Sequence, residues 1–268
     1  RDSSPSRGLG DVYKRQPKKY WDLYEQSEMT LAPNQYHPED SPPYSATHNT
    51  LMRYAGLNYY NSPNHVLPDD YQRKLIHAYA ACVSFIDAQV GKLIATLKET
   101  GKYDNTIIVF ISDHGYHLGH QQKWGKTTNF ENSTRAPLIV SSPNHRKGKR
   151  STQLVEYVDL YATLCDLTDI EIPKYTEGTS IKPLLENPDR EWKTAAFSQF
   201  PRGRKMEGYS MRTADYRYTE WRLSNGKIDA TELYDHKNDA IESINIAYKK
   251  ENESLVNELS QKLNAGWK

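Results

Sequence analysis

The stretch that decides the fold is Thr106-Ile107-Ile108-Val109-Phe110-Ile111-Ser112-Asp113-His114-Gly115. An apolar, β-branched run ends in a carboxylate, an imidazole and a glycine. Such a run reads as a buried strand, and burial on both faces predicts a parallel neighbour. In open α/β sheets ligands collect beyond the carboxyl ends of strands, where Asp113 and His114 stand. Read alone, the pair is a turn-capping carboxylate and a core histidine. Their place at a strand end instead offers an oxygen and a nitrogen ligand to one divalent cation, with Gly115 allowing a sharp turn behind them.

Outward from this strand the chain alternates. Upstream, Pro68-Asp69-Asp70 opens a helix with proline and acids at its start. Leu75, Tyr79, Cys82, Phe85, Ile86, Val90, Leu93 and Leu97 recur at helical spacing until Gly101. The Asp69-Asp70 pair is explained by capping. Before this helix, residues 29–68 are rich in Pro, Asn and Tyr and read as a long ordered excursion. Downstream come a polar loop to Arg135, a second apolar strand over 137–141, and a helix over 158–167. Helix, strand, strand and helix predict a layered α/β domain. After Glu191 the texture changes. Residues 208–213 and 216–221 alternate like a hairpin around Ala214-Asp215, 232–235 add a short strand, and 251–263 carry a last helical stripe. This predicts a small C-terminal antiparallel α+β subdomain. Residues 1–16 show no periodicity and read as a non-native leader, which gives expected divisions at 1–16, 17–195 and 196–268.

Composition narrows the function. The 268 residues carry 35 basic and 34 acidic side chains, a net charge of +1, so no global field points to nucleic acid. No run is read as a membrane span. Cys82 and Cys165 fall in helical apolar segments and read as packed thiols. The 20 tyrosines suit half-buried packing or the lining of a carbohydrate groove.

Other residues join the candidate centre. Lys126, in Lys123-Trp124-Gly125-Lys126, shares a connection with Asp113 and His114, where it can neutralise the oxygens of an anionic substrate. Tyr116, His117 and His120 follow Gly115; each reads first as packing, pattern alone does not choose a substrate contact among them, and Tyr116 is the one carried forward as substrate-binding. The basic loop His145-Arg146-Lys147-Gly148-Lys149-Arg150 reads as a solvated turn, with a sulfated polysaccharide as its other possible partner. Arg202, Arg204 and Lys205 could contact an acidic sugar from the smaller subdomain.

A family resemblance rests on several of these motifs together. Ser112-Asp113-His114-Gly115-Tyr116-His117-Leu118-Gly119, then Trp124-Gly125-Lys126, Asn129-Phe130-Glu131 and Ala136-Pro137-Leu138-Ile139 resemble a metal-binding segment of the type I sulfatases, in their iduronate-2-sulfatase branch. The likeness extends through Val158-Asp159-Leu160-Tyr161-Ala162-Thr163-Leu164, Glu177-Gly178-Thr179-Ser180, Phe197-Ser198-Gln199-Phe200-Pro201-Arg202, Gly208-Tyr209-Ser210-Met211-Arg212-Thr213 and Glu232-Leu233-Tyr234-Asp235. Upstream, Pro17-Lys18-Lys19-Tyr20-Trp21-Asp22-Leu23-Tyr24 and Leu31-Ala32-Pro33 also match. What the resemblance implies is an alkaline-phosphatase-like α/β sheet flanked by helices, only partly present here. It also implies hydrolysis of sulfate esters on a sulfated sugar or polysaccharide, with one Ca2+ and a formylglycine nucleophile. By motif, Asp113 and His114 are then metal ligands, and Lys126 holds sulfate or the leaving oxygen.

The departures are equally specific. The family's nucleophile lies in Cys/Ser-x-Pro/Ala-x-Arg preceded by paired aspartates. Neither Cys82-Val83-Ser84 nor Cys165-Asp166-Leu167 fits, and Ser3-Ser4-Pro5-Ser6-Arg7 matches the letters in the wrong context. The chain is therefore expected to be the C-terminal portion of a sulfatase, inactive by itself, with formylglycine supplied upstream. Export to the periplasm or the medium is a family expectation. The competing expectations are another alkaline-phosphatase-superfamily hydrolase acting on phosphate or phosphonate esters, and a catalytically inert binding module.

Overall fold

The computed structural model describes residues 17–46, 66–145, 148–203 and 205–266. The leader, Ser3-Ser4-Pro5-Ser6-Arg7, most of the second half of the 29–68 excursion, Arg146, Lys147 and Arg204 lie outside the described residues. In chain order the helices are α1 (Lys18–Trp21), α2 (Asp69–Glu99), α3 (Glu131–Thr134), α4 (Asp159–Leu167), α5 (Lys182–Glu186) and α6 (Glu253–Gly266). The strands are β1 (Ile108–Ile111), β2 (His117–Leu118), β3 (Trp124–Gly125), β4 (Leu138–Ser141), β5 (Ala195–Arg202), β6 (Met206–Thr213), β7 (Tyr216–Leu223) and β8 (Ile228–Asp235). They form two compact units. The first combines the chain up to Asp104 with His114–Ala136, and the second combines Asn105–Asp113 with the chain from Pro137.

The first unit is organised by α2. Pro68 is extended (φ −54°, ψ 142°), and Asp69 and Asp70 occupy the first turn, where the helix dipole favours anions. At the other end the Thr100 N–H and hydroxyl bond back to the Thr96 carbonyl at 3.0 and 2.7 Å, and Gly101 turns left-handed at φ 68°. Leu75 and Trp124 are buried together with Leu67, and Tyr71, Ile76, Tyr116 and Leu118 pack around them. His77 stacks on Trp21 with centroids 3.9 Å apart and donates through Nε2 to the Trp21 carbonyl at 2.8 Å.

The buried face of α2 differs from the predicted one. Gln72, Leu75, His77, Ala78 and Ala81 are inside, whereas Val83, Ile86 and Leu93 are exposed. By length and composition alone α2 could cross a membrane, which corrects the expectation that no run is apolar enough. Its buried half nonetheless carries polar Gln72 and His77, both bonded to protein groups.

In the second unit, β1 pairs antiparallel with β4, from Ile108 opposite Ser141 to Ile111 opposite Leu138. The expected parallel, doubly buried strand is therefore corrected: Ile111 and Ile139 are exposed. An apolar run states a demand for cover but carries no information on strand direction, which is set by a pairing partner far along the chain. α4 lies close to the predicted 158–167.

The C-terminal hairpin is as predicted, turning at Ala214-Asp215, with each strand extended to eight residues. Its turn is tied by the Thr213 hydroxyl, which accepts the Tyr216 N–H at 3.0 Å. Together with β5 and β8 it makes a four-stranded antiparallel sheet in sequence order. Met211, Tyr218 and Leu233 on one face pack with Ala195, Ala247 and the α6 residues Leu259 and Leu263. The alternate residues are polar and paired. Trp221 Nε1 and the Tyr234 hydroxyl both donate to Glu232 at 2.6 Å, and Arg217 Nε donates to Glu242 at 2.6 Å. Cys82 and Cys165 are both unbridged, as expected.

Candidate active site

The candidate residues stand where β1 ends. The last rung is the Ser112 N–H on the Pro137 carbonyl at 3.3 Å. The Tyr157 hydroxyl donates to the Ser112 carbonyl and lies 3.5 Å from that of Pro137. The next residue, Asp113, is exposed. Burial first, and then the Asp113 carboxylate, push the Tyr157 phenol above its ordinary pKa of 10, so it remains a protonated donor at neutral pH.

The backbone on either side of Tyr157 is held by a partly buried ion cluster. Asp159 is fully buried; its Oδ1 accepts from Lys193 Nζ at 2.6 Å and from the Thr179 N–H at 2.8 Å. Its Oδ2 accepts the Glu156 N–H at 2.9 Å. Glu156 in turn takes Lys193 at 3.0 Å and the Phe197 N–H at 2.9 Å. Gly178 is required beside this cluster, because a Cβ there would sit 1.9 Å from the Val158 carbonyl oxygen.

On the first unit, Gly115 has a role other than the expected one. It is absent from the left-handed glycines, so no special φ is needed. Its constraint is space: a Cβ would stand 2.1 Å from the Asn132 carbonyl oxygen and 2.8 Å from that of Arg135. The Gly115 N–H donates to the Ser133 carbonyl at 2.8 Å, which packs the chain against the short helix α3.

The preceding residue, His114, has Nδ1 2.7 Å from the Gly115 carbonyl and Nε2 2.6 Å from Lys126 Nζ. A carbonyl can only accept, so the proton is assigned to Nδ1 and the lone pair to Nε2. The ring thereby presents a lone pair to a cationic partner. Lys126 is brought there by the β2–β3 pair, in which His117 faces Gly125 and Leu118 faces Trp124.

His117 serves the scaffold. His117 is fully buried. Its Nδ1 donates to the His120 carbonyl at 3.1 Å, and its Nε2 is 2.9 Å from the Thr128 hydroxyl and 3.1 Å from that of Ser133. Burial drives its pKa down to about 3, against a smaller upward pull from the His120 carbonyl. The neutral ring therefore ties three parts of the loop together. Burial also lowers the pKa of His120. Tyr116 stacks on Tyr79 with centroids 5.5 Å apart.

Further along the chain, Arg202 lies over the rings of Phe200 and Trp221 at 4.9 and 5.0 Å. Burial pulls its pKa to about 10 against the opposing pull of Glu232. In the basic loop, His145 bonds Ser142 at 2.7 Å, and Lys149 donates to the Glu186 carbonyl at 3.1 Å.

The structure thus brings His114 and Lys126 together in one unit and sets Asp113 beside Tyr157 at the strand end of the other. Sequence reasoning missed Tyr157 and the Lys193 cluster, because nothing in the spacing links them to Asp113. A carboxylate and an imidazole on adjacent residues are a donor set for a divalent cation.

Solved structures with the same architecture define the class. A structure described as a complex with the substrate D-glucosamine-2-N,6-O-disulfate superposes with a TM-score of 0.67 at 32% identity, over 74% of this chain and 41% of that one. A phosphonate monoester hydrolase from Silicibacter pomeroyi superposes with a TM-score of 0.78 at 24% identity, over 93% of this chain and 52% of that one, a likeness of fold alone. The fold is the alkaline-phosphatase-like one with a C-terminal antiparallel sheet.

Within that class the family model for sulfatases matches residues 17–170, and the model for the C-terminal part of N-sulphoglucosamine sulphohydrolase matches 119–267. The chain belongs to the sulfatase family, as the motifs implied. Iduronate 2-sulfatase of Mus musculus is 30% identical over 91% of this chain and 57% of that protein. The chain spans about half the length of the curated relatives it matches.

Proposed function

We propose that this chain carries part of the active centre of a sulfuric ester hydrolase of the iduronate-2-sulfatase type, acting on sulfated carbohydrate. The observation that carries the reading is the placement of His114 Nε2 2.6 Å from Lys126 Nζ, directly after the strand-end carboxylate. Asp113 and His114 are the ligands offered to one calcium ion. Calcium, when bound, supplies a hard positive charge that polarises sulfate oxygens. The Nδ1 bond to the Gly115 carbonyl keeps Nε2 in its ligating tautomer. Lys126, exposed on its loop, pairs with sulfate oxygens or with the leaving oxygen as charge builds on it. Tyr116 is the neighbouring substrate contact.

No Cys-x-Pro-x-Arg stands in these residues. On this reading the formylglycine nucleophile lies elsewhere in the protein, these residues alone do not turn over substrate, and the enzyme is periplasmic or secreted. Two relatives support a sugar substrate. One is named iduronate 2-sulfatase, and the other is an N-acetylglucosamine-6-O-sulfatase of Bacteroides thetaiotaomicron, 34% identical over 69% of this chain. The phosphonate hydrolases share the fold at identities of 24% and 21%, which does not extend to their chemistry.

The test is hydrolysis of an aryl sulfate and an aryl phosphonate by the full-length protein, with and without Ca2+. Calcium-dependent sulfate release that Asp113→Ala abolishes is the expected result. Lys126→Ala should lower kcat by about 10²- to 10³-fold with the fold intact. Preferential phosphonate cleavage, or full activity of Asp113→Ala, would overturn the assignment.

A further inference from the structure

The Tyr157 hydroxyl reaches the backbone directly before Asp113. Its bond to the Ser112 carbonyl fixes the plane of the Ser112–Asp113 peptide, and with it the direction in which the Asp113 side chain leaves the strand. The bond falls at the point where the β1–β4 ladder closes on the Pro137 carbonyl, so it takes over where backbone pairing stops. Tyr157 is itself held on both sides. Glu156 and Asp159 are pinned by Lys193 at 3.0 and 2.6 Å, and Asp159 also holds the Thr179 N–H. The path runs from a partly buried ion cluster, through the Tyr157 phenol, to the peptide that bears the carboxylate. A free strand end frays, and a carboxylate on it samples many directions. Restricting that motion before the cation arrives removes an entropic cost of binding.

We infer that Tyr157 is a positioning residue for the metal-binding carboxylate: through the Ser112 carbonyl it orients Asp113 toward the cation without touching it. This rests on the reading of Asp113 as a metal ligand. Partners behind a first ligand change metal affinity by about 10- to 100-fold when removed. Tyr157 acts through a backbone carbonyl, so the low end of that range applies.

The test uses Tyr157→Phe in the full-length protein, which keeps the ring at a site 38% exposed and removes only the hydroxyl. Affinity is read by Tb3+ luminescence with competition by Ca2+, alongside the thermal midpoint and aryl-sulfate hydrolysis as a function of Ca2+. The expected result is a Ca2+ affinity about tenfold weaker, with kcat recovered at saturating Ca2+. Unchanged affinity would overturn the inference, as would an activity loss that excess Ca2+ does not restore. Asp113→Asn separates this from the underlying reading. If Asp113→Asn loses the cation while Tyr157→Phe keeps it, only the positioning role fails. If Asp113→Asn binds like the parent protein, the ligand assignment fails.

Discussion

Substituting alanine for Gly115 tests how the loop behind His114 is packed. The added Cβ would stand 2.1 Å from the Asn132 carbonyl oxygen, roughly 1.4 Å inside the shortest comfortable separation. Both opposing atoms, on Asn132 and Arg135, are backbone, so no side chain can swing aside. α3 and Gly115 must part, which forfeits the Gly115 N–H bond to Ser133 at 2.8 Å. Overpacking costs about 1–3 kcal/mol, and the lost hydrogen bond about 1 kcal/mol more. The sum of about 2–4 kcal/mol is a large share of a typical stability of about 5–15 kcal/mol.

The shift also displaces the carbonyl that fixes the tautomer of His114, so cation affinity should fall with stability. The assay is the urea midpoint with parallel Ca2+ binding. Gly91→Ala is the internal control. Gly91 sits inside α2 with nothing within 4 Å of its Cβ position, and the same change there should stabilise by about 0.5–1 kcal/mol. A Gly115→Ala protein as stable as the parent, with unaltered Ca2+ affinity, would refute the reasoning.

Asp159→Asn removes the 2.6 Å partner of Lys193 from a partly buried cluster that keeps Glu156 at 3.0 Å, and should cost about 1.5–3 kcal/mol in the urea midpoint. A change below about 0.5 kcal/mol would show that Glu156 suffices. His117 gives the chain a pH dependence. Its ring is neutral when folded, down to about pH 3, whereas the unfolded chain takes up a proton below about 6.5. Its contribution is therefore complete above 6.5 and falls by about 1.4 kcal/mol per pH unit as the pH drops toward 3. His117→Gln should flatten that acid limb, and an unchanged slope would assign it to other groups.

What could be read from the sequence was what is decided locally. The start of α2 follows from Pro68-Asp69-Asp70, and the β6–β7 hairpin from alternation around Ala214-Asp215. Both depend on neighbours a few residues apart. The direction of β1 depends on β4, whose nearest paired residue, Leu138, lies far along the chain from Ile111, and an apolar run cannot encode it. Gly115 was legible as a special residue but not for its reason, since the crowding carbonyls come from Asn132 and Arg135. Asp113 and Lys126 stood out by their place in one connection. That Lys126 reaches His114 follows from two-residue strands too short to show any period. Tyr157 had no sequence signal because its role runs through a backbone atom of another segment. The tyrosines do not act as one class: Tyr218 and Tyr234 are buried in the C-terminal sheet, and Tyr175 is 80% exposed.

A strongly displaced pKa is often a guide to a functional group, and in this molecule it points away from the proposed chemistry. Among the described residues, His117 is shifted to about 3 and Arg202 to about 10, in each case chiefly by burial. At His117 both ring nitrogens are engaged by the chain's own groups, so no atom is left for a ligand. Arg202 is stacked between rings and balanced by Glu232. Such shifts record desolvation offset by internal partners, which is the signature of a structural polar group. Asp113 and Lys126 are exposed, so a hard cation or an anionic ester can reach them from solvent. The proposed centre therefore follows from which polar atoms remain accessible at the strand end, and the buried groups around it set where those atoms point.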